Sequence, residues 1–353
     1  MKLNLKPIGV QTVVVFGASS GIGRQAAIDF AKRGAKVCVA ARSENGLKTL
    51  VEEIKGNGGE AFYTVADAAD FEQVKAVAEQ CAERYGRLDT WVHSAGAFLF
   101  ATVEQTEPEE YERLIKVNLL GQIYGAKAAL PFLKKSGGAL IHVSSVESWR
   151  TVPFQSAYGA SKHGINGFVQ ALRVELAHDE IPVSVSQILP AAINTPIYDK
   201  GRNKQPFKPR PVPPIYHPQI VSDAILYAAE NPTTDLIAGG AGLGVVLAER
   251  FSPRVAEWVT EKVGFIGQRT DEKIDGEFAG SLFEPLGKFD TVEGRFSNEQ
   301  LTSDPITWLS THPTEKNALL AIGGIVGGFF AWRFLNKKVA SGSKSNRGAD
   351  SIF

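Results

Sequence analysis

Cysteine is almost absent from this sequence of 353 residues, which contains only Cys38 and Cys81. One lies in an apolar, strand-like run and the other in a helical pattern, so they form neither a disulfide framework nor a set of metal ligands. We therefore expect both to be packing residues of a protein kept in a reducing compartment, without a metal site.

Net charge is also absent, because the 38 basic and 38 acidic residues cancel. Without a field of one sign over the whole chain, nothing attracts nucleic acid, and we expect no nucleic-acid partner. The N-terminus lacks a long apolar stretch, which predicts no secretory signal. The apolar fraction of 44% and the charged fraction of 22% are typical of a globular protein with a sizeable core.

From residue 11 to about residue 240, short β-branched runs alternate with amphipathic helical segments. This alternation predicts an α/β fold with a doubly wound parallel sheet of about seven strands. The predicted strands are 12–16, 36–41, 60–66, 88–94, 138–144, 183–189 and 235–239. The predicted helices include 21–33, 44–55, 70–85, 109–135 and 155–178, and the fourth bends near residues 118–121.

Two later segments differ from this pattern. Residues 200–218 contain six prolines and five lysines or arginines, which predicts neither regular helix nor sheet. We interpret them as a lid over a substrate pocket, with a solvated loop as the alternative. After about residue 270 the periodicity fades. The expected organisation is a main domain 1–270, a linker 271–316, a hydrophobic helix 317–336 and a basic tail 337–353.

The run 318–332 contains no charged residue and is followed by Arg333. As a helix it covers about 22 Å, which is short for a hydrocarbon core of about 30 Å, so an amphipathic or core helix is an alternative. Its apolar character on all sides and the GxxxG spacing of Gly323 and Gly327 favour a single membrane anchor. We expect a cytoplasmic main domain attached to a membrane by this helix, in an orientation that the basic tail leaves open.

Three glycines follow the first predicted strand. The stretch "GASSGIG" places Gly17, Gly21 and Gly23 at the turn into the first helix. Glycine lets the backbone approach a pyrophosphate, and the helix N-terminus offers free N–H groups and partial positive charge. Such a turn is weak evidence alone, but at this place in an alternating α/β pattern it predicts dinucleotide binding.

The end of the second strand indicates which dinucleotide is bound. An acidic residue there would bind the ribose hydroxyls of NAD, whereas an arginine would pair with the 2′-phosphate of NADP. The sequence has Ala41 and then Arg42. NADP(H) is therefore the predicted cofactor, with a solvated charge as the alternative reading of Arg42.

A tyrosine and a lysine lie four residues apart in "YGASK", on one face of a predicted helix. A nearby ammonium lowers the pKa of a phenol, which is otherwise near 10 and too high for proton exchange at neutral pH. Tyr158 and Lys162 could still be an ordinary surface pair. Ser145 at the end of a strand and Asn118 at the start of a helix favour the catalytic interpretation.

With these residues the sequence resembles the short-chain dehydrogenase/reductase (SDR) family over roughly residues 10–240. The matching motifs are "GASSGIG", "SAG" at 94–96, "KVNLLG" at 116–121, "HVSS" at 142–145, "YGASK" at 158–162 and "LPAAINTP" at 189–196. The resemblance implies a Rossmann-type fold and hydride transfer between NADP(H) and a small-molecule alcohol or carbonyl substrate. It also implies a homodimer or homotetramer.

The resemblance further implies a catalytic tetrad of Asn118, Ser145, Tyr158 and Lys162. Tyr158 would exchange a proton with the substrate oxygen that Ser145 holds. Lys162 would lower the pKa of the tyrosine and bind the nicotinamide ribose, and Asn118 would support a water relay.

The implied cofactor site includes Asp67 at the adenine and Thr195 at the carboxamide. Its full set is Gly17, Ser19, Ser20, Gly21, Ile22, Gly23, Arg42, Asp67, Ala95, Gly96, Tyr158, Lys162, Pro190 and Thr195.

The substrate contacts are expected at residues 98–100 and 146–149, above all Phe98, Val146 and Trp149. A membrane-anchored domain would favour a lipophilic substrate. The alternative is a protein that binds NADP without turnover, as a sensor or a membrane interaction platform. An intact tetrad argues against that alternative.

Three positions depart from the family pattern. Phe16 stands where the family usually has threonine, and His93-Ser94 replaces an asparagine pair. We expect both changes to affect the bracing of the sheet rather than the chemistry. Ala191 replaces a glycine after Pro190, which puts in doubt how that loop meets the nicotinamide.

Overall fold

The computed structural model describes residues 3–317 of the chain. The chain divides into two compact units, Met1–Thr307 and Trp308–Phe353, and only residues 308–317 of the second are described. Residues 318–336 of the predicted anchor and the basic tail therefore lie outside the described residues. Within residues 3–317, no helix is both long enough and apolar enough to cross a membrane.

Seven parallel strands form the central sheet. The strands of the chain are β1 (Thr12–Phe16), β2 (Lys36–Ala41), β3 (Glu60–Val65), β4 (Thr90–His93), β5 (Leu99–Phe100), β6 (Gly138–Val143), β7 (Val183–Pro190), β8 (Arg202–Asn203), β9 (Phe207–Pro209), β10 (Ile215–Tyr216), β11 (Asp235–Ala238), β12 (Arg269–Lys273) and β13 (Gln300–Leu301). The sheet order is β11-β7-β6-β4-β1-β2-β3. The strand order reverses at β1, so a crevice opens beyond the carboxyl ends of β1 and β4.

Helices cover both faces of this sheet. They are α1 (Gly21–Lys32), α2 (Glu44–Gly56), α3 (Phe71–Tyr85), α4 (Pro108–Ile115), α5 (Gly121–Ser136), α6 (Ser156–His178), α7 (Ile197–Lys200), α8 (Pro218–Glu230), α9 (Ala241–Phe251), α10 (Pro253–Gly267) and α11 (Pro305–Thr311). Asp70 caps the N-terminus of α3 through the Gln73 amide, and Gly86 ends that helix in the left-handed conformation. The seven predicted sheet strands and the doubly wound α/β fold are confirmed.

The bend expected near residues 118–121 is a π-helical turn. Residues Lys116–Leu120 form this turn between α4 and α5. One extra residue per turn interrupts the regular ladder and re-aims the side chains there, a feature frequently found at functional sites. Asn118 lies in the middle of the turn.

Two apolar layers hold the sheet. Val13 and Val15 point to the layer under α1, α2 and α8, whereas Val14 and Phe16 point to the layer under α3 and α5. All four side chains are fully buried or nearly so. Burial on both faces explains why the strand reads as a continuous apolar run rather than an alternating one.

The proline-rich segment 200–218 contains the short strands β8, β9 and β10, so the expectation of no sheet is wrong in detail. Each strand is only two or three residues long and lies outside the main sheet. Proline has no N–H group to donate, which keeps such strands short and confined to edges.

The predicted linker also differs from the structure, because residues 271–307 belong to the same compact unit as the sheet. Leu282 and Phe296 are buried in it, and β13 pairs with β10. We call residues 277–301 the cover segment. The segment has little regular secondary structure, and its sequence therefore resembles that of a linker. Its side chains nevertheless pack into the compact unit.

Candidate active site

The glycine turn between β1 and α1 has the backbone shape that only glycine adopts freely. Gly17 has φ 91° and Gly21 has φ 59°. A Cβ atom on Gly17 would lie 2.3 Å from the Ala95 amide nitrogen, and one on Gly23 would lie 2.3 Å from the Gly17 carbonyl oxygen. The turn is therefore packed closely against the loop after β4, and without side chains at Gly17 and Gly23 its backbone is open to close approach by a dinucleotide.

A cavity of about 330 Å³ lies at the carboxyl ends of the strands. This volume is within the range of small-molecule sites. The predicted site residues on its wall are Gly17, Ser19, Ser20, Gly21, Ile22, Arg42, Asp67, Ala95, Gly96, Phe98, Ser145, Val146, Tyr158, Lys162, Pro190 and Thr195. One cavity thus joins the glycine turn to the tyrosine and the lysine.

Four of the predicted substrate residues, Leu99, Phe100, Ser148 and Trp149, are absent from this wall. Leu99 and Phe100 form β5 and are buried, with the Phe100 ring packed against Phe154 and Phe207. Ser148 is buried at the end of the 3-10 turn that begins at Val146, and Trp149 follows that turn. These residues neighbour wall residues in sequence, but packing in the core keeps Leu99, Phe100 and Ser148 away from the cavity.

Tyr158 and Lys162 lie on one face of α6, as their spacing predicts. The Lys162 Nζ atom is 5.3 Å from the centre of the Tyr158 ring and donates a hydrogen bond of 3.1 Å to the Val143 carbonyl oxygen. Val143 ends β6, and Ser145 follows two residues later. The end of β6 and the first turns of α6 therefore bring the three side chains to one side of the cavity.

Burial dominates the proton affinities of this pair. It lowers the pKa of Lys162 to about 8. It also raises the pKa of Tyr158, as does the nearby Glu147 carboxyl, whereas a hydrogen bond with Ser145 opposes the shift. The lowered pKa of Tyr158 expected from the sequence is therefore wrong for these surroundings, because desolvation of the phenolate and the Glu147 carboxyl outweigh the hydrogen bond with Ser145.

Asn118 is fully buried and bonds to the chain after β4. Its Oδ1 accepts from the Ala97 amide at 2.7 Å, and its Nδ2 donates to the Ala97 carbonyl at 3.0 Å and to Ser161 Oγ at 3.3 Å. The side chain is not among those on the cavity wall. In this structure Asn118 links the π-helical turn, the loop at Ala97 and α6.

Arg42 lies on the cavity wall, but its guanidinium also contacts the cover segment. It donates hydrogen bonds of 2.7 Å to the carbonyl oxygens of Ser281 and Phe283. Asp67 is paired as well, with Arg113 at 2.6 Å. Arg42 and Asp67 therefore both have protein partners. The partners of Arg42 lie in the cover segment, where the sequence does not predict a site.

The cover segment reaches two more places at the dinucleotide end of the cavity. The Gly21 amide donates to the Thr291 carbonyl at 2.8 Å, and the Ser43 hydroxyl donates to Asp290 at 2.9 Å. Ser281, Pro285, Leu286 and Asp290 line the cavity. The segment thus supplies the outer wall of the predicted cofactor site.

Lys200, at the end of α7, also reaches the glycine turn. Its Nζ atom donates to Ser20 Oγ at 2.6 Å, and burial lowers its pKa to about 8. The sequence placed this lysine in a proline-rich loop and could not show what it touches.

Two of the residues that depart from the family pattern, Phe16 and His93, form a stacked pair. The Phe16 and His93 rings lie 5.1 Å apart and nearly parallel, and His93 is fully buried. Burial lowers the pKa of His93, so the ring is neutral. The pair braces neighbouring strands β1 and β4, and Phe16 also lies on the cavity wall.

Comparison with known proteins identifies the family. A family model described as short chain dehydrogenase matches residues 11–206. YxnA, an uncharacterized oxidoreductase of Bacillus subtilis, is 35% identical over 288 residues, covering 80% of each chain. A 3beta-hydroxysteroid dehydrogenase of Mediterraneibacter gnavus is 34% identical over 190 residues, covering 54% of this chain and 68% of its own.

Two solved structures are similar in fold. An alcohol dehydrogenase from the archaeon Thermococcus sibiricus, complexed with 5-hydroxy-NADP, has a TM-score of 0.57 at 27% identity and covers 64% of this chain and 95% of its own. An actinorhodin polyketide ketoreductase with NADPH has a TM-score of 0.58 at 26% identity, covering 67% of this chain and 99% of its own. The likeness thus extends over the sheet and its helices.

Proposed function

The chain belongs to the short-chain dehydrogenase family, and we propose that it is an NADP(H)-dependent oxidoreductase that interconverts a secondary alcohol and a ketone. The observation that carries this proposal is the single cavity on which Ser145, Tyr158 and Lys162 meet the glycine turn. A protein that only binds a dinucleotide would not need the serine, the tyrosine and the lysine on one wall. This argues against the alternative of a silent sensor.

The residues present fit a dinucleotide. The glycine turn, whose Gly21 amide is bonded to the Thr291 carbonyl in this structure, would hold the pyrophosphate through its other amides. The loop at Pro190 and Thr195 would hold the nicotinamide. Arg42 at the end of β2 favours NADP(H), and two similar structures contain NADPH or an NADP derivative. When bound, the reduced nicotinamide supplies the hydride.

The proton is handled by this chain's own side chains. In ketone reduction Ser145 donates a hydrogen bond to the substrate oxygen, and Tyr158 gives that oxygen its proton as the hydride arrives at carbon. Because burial raises the pKa of Tyr158, the phenol is protonated at neutral pH and ready to donate. Lys162 stabilises the phenolate that results.

Asn118 acts indirectly in this proposal. By holding Ala97 and Ser161 together, it positions the wall of the nicotinamide pocket against α6. The water relay implied by the family resemblance would have to pass beside its amide.

Turnover of a ketone panel with NADPH tests the function. Oxidation of NADPH is followed by its absorbance, and the alcohol product is identified by mass spectrometry. Reduction of at least one ketone with stoichiometric NADPH use is expected. Tight NADPH binding without turnover across a broad panel would favour the sensor instead.

Membrane attachment is proposed as well, with a cytoplasmic catalytic domain and a lipophilic substrate. The uncharged run 318–332 supports it. So does the surface of α9 and α10, where Phe251, Trp258 and Ile266 are 80%, 60% and 65% exposed. Fractionation of cells that express the chain with and without residues 317–353 tests this proposal, because two soluble forms would refute it.

A homodimer or homotetramer is proposed from the family resemblance alone. Light scattering of the purified catalytic unit measures the mass directly. A monomer at micromolar concentration would refute this proposal without affecting the proposed chemistry.

A further inference from the structure

Glu147 is the acidic residue closest in sequence to Ser145, the proposed catalytic serine. It lies two residues after Ser145, in the 3-10 turn Val146–Ser148, and its amide donates a hydrogen bond of 3.1 Å to Ser145 Oγ. Its side chain lines the cavity that contains Tyr158. The carboxyl group therefore lies about one side-chain length from Ser145, which would bind the substrate oxygen.

One oxygen of this carboxyl group has no protein partner. Glu147 Oε2 is buried and accepts or donates no hydrogen bond among the residues 3–317. Arg150, on the same wall, pairs instead with Glu249 at 3.4 Å. A buried polar atom without a partner is costly, and such atoms in a cavity usually await a ligand or water.

The surroundings keep the carboxyl group protonated. Burial raises the pKa of Glu147 to about 8, against the opposing charge of Lys162 and the Val152 amide. The groups that face it electrostatically are Lys162 and the phenols of Tyr158 and Tyr198. A neutral carboxyl group can both donate and accept a hydrogen bond, so it can bind either a hydroxyl or a carbonyl oxygen.

The cavity wall also has apolar side chains, among them Phe98, Val152 and Val212. They share the wall with polar residues such as Arg150, Gln155 and Arg210. Specificity in such a pocket comes from a small number of placed polar groups, and an analogue that leaves a buried polar group unpaired is rejected.

Resting on the proposed function, we propose that the Glu147 carboxyl group hydrogen-bonds a second oxygen of the substrate, so that ketones oxygenated within two carbons of the reacting carbonyl are preferred. Ser145 and Tyr158 bind the reacting oxygen, and Glu147 binds the second one. Glu147 is thereby a specificity-determining residue.

Matched ketone pairs test the proposal. The pairs are butan-2-one with 3-hydroxybutan-2-one and cyclohexanone with 2-hydroxycyclohexanone. For each pair, kcat/KM with NADPH is measured in wild type, Glu147→Gln and Glu147→Leu. The exposed Glu175 on α6 provides the control variant Glu175→Leu. The ratio within a pair, compared between variants, cancels the intrinsic reactivity of each ketone.

Wild type is expected to prefer the hydroxyketone at least tenfold. Glu147→Leu is expected to reduce that preference at least tenfold, whereas Glu147→Gln, which keeps a neutral donor and acceptor, stays within about threefold of wild type. Glu175→Leu leaves the ratio unchanged. The Kd of NADPH, measured by its fluorescence, is the same in all four proteins.

Two results would overturn the proposal. One is a wild type that reduces both members of each pair equally well. The other is a Glu147→Leu variant that loses activity on both members by the same factor. Inhibition of wild type by cyclohexanol and by cyclohexane-1,2-diol gives a measurement that needs no variant. Equal inhibition constants for the two alcohols would also contradict the proposal. If wild type binds NADPH but reduces no ketone, the proposed function itself fails.

Discussion

The guanidinium of Arg42 donates a hydrogen bond of 2.7 Å to the carbonyl oxygen of Ser281, a residue 239 positions later in the chain. A segment beyond residues 11–206, which the family model matches, therefore contacts the residue predicted to select NADP over NAD. Because Arg42 has five N–H donors, it can hold these carbonyls and still present a donor to a 2′-phosphate.

Arg42→Ala is expected to lower the preference for NADPH over NADH at least tenfold. The loss of a charge-assisted bond to the 2′-phosphate weakens NADPH binding, whereas NADH has no such phosphate. Dissociation constants for both nucleotides, measured by fluorescence, check this. Arg269→Ala, at an exposed arginine, is the control. An equal loss of affinity for NADPH and for NADH would show that Arg42 only holds the cover segment.

Gly17→Ala is expected to abolish dinucleotide binding or folding. A Cβ atom there would lie 2.3 Å from the Ala95 amide, at a φ of 91° that L residues rarely adopt. The matched control is Gly167→Ala on α6, where a Cβ atom meets nothing within 4 Å. That control should raise the free energy of unfolding by about 0.5 to 1 kcal/mol. Urea unfolding and NADPH titration measure both effects, and a Gly17→Ala protein with wild-type affinity would contradict the assigned turn.

The cofactor-free protein is expected to become less stable between pH 6.5 and pH 8. Burial raises the pKa of Glu147 to about 8, so the folded state keeps a proton that the unfolded chain releases at lower pH. The folded state therefore loses stability as pH rises through this window, by about 2 kcal/mol at about 1.4 kcal/mol per pH unit. His142, whose pKa burial lowers to about 3, contributes to the pH dependence only below pH 6.5.

The comparison of wild type with Glu147→Gln isolates this contribution. The glutamine at position 147 cannot titrate, so the free energy of unfolding of this variant should be nearly constant from pH 6.5 to pH 8. The pKa values of Lys162 and Lys200, both lowered to about 8, act in the opposite direction in both proteins, mainly above that pH. Urea unfolding at pH 6.5 and pH 8 measures the free energy of unfolding of each protein. An equal change of that free energy with pH in both proteins would refute the buried neutral carboxyl group.

The sheet and most of the site could be predicted from the sequence because local signals determine them. Val13, Val14 and Val15 are buried on both faces, which produces a continuous apolar run. Glycine spacing locates the turn, and helical spacing places Tyr158 and Lys162 on one face. Each of these signals lies within a few residues of the feature it predicts.

The remaining features depend on contacts between distant residues. Nothing near residue 281 indicates a bond to Arg42, and the cover segment lacks the periodicity that would indicate packing. The raised pKa of Tyr158 results from burial by the whole pocket, whereas the sequence shows only its neighbouring lysine. Of the expected substrate segment 146–149, the 3-10 turn brings Val146 and Glu147 to the cavity wall but not Trp149.

Comparison of Tyr158→Phe with wild type tests the central claim most directly. The variant lacks only the hydroxyl group that gives the substrate its proton, so NADPH should bind with unchanged Kd. Single-turnover reduction of a ketone substrate of the wild type should slow by at least a hundredfold, the usual contribution of a positioned proton donor. A variant that reduces the ketone within a few-fold of the wild-type rate would contradict the assignment of Tyr158 as the proton donor.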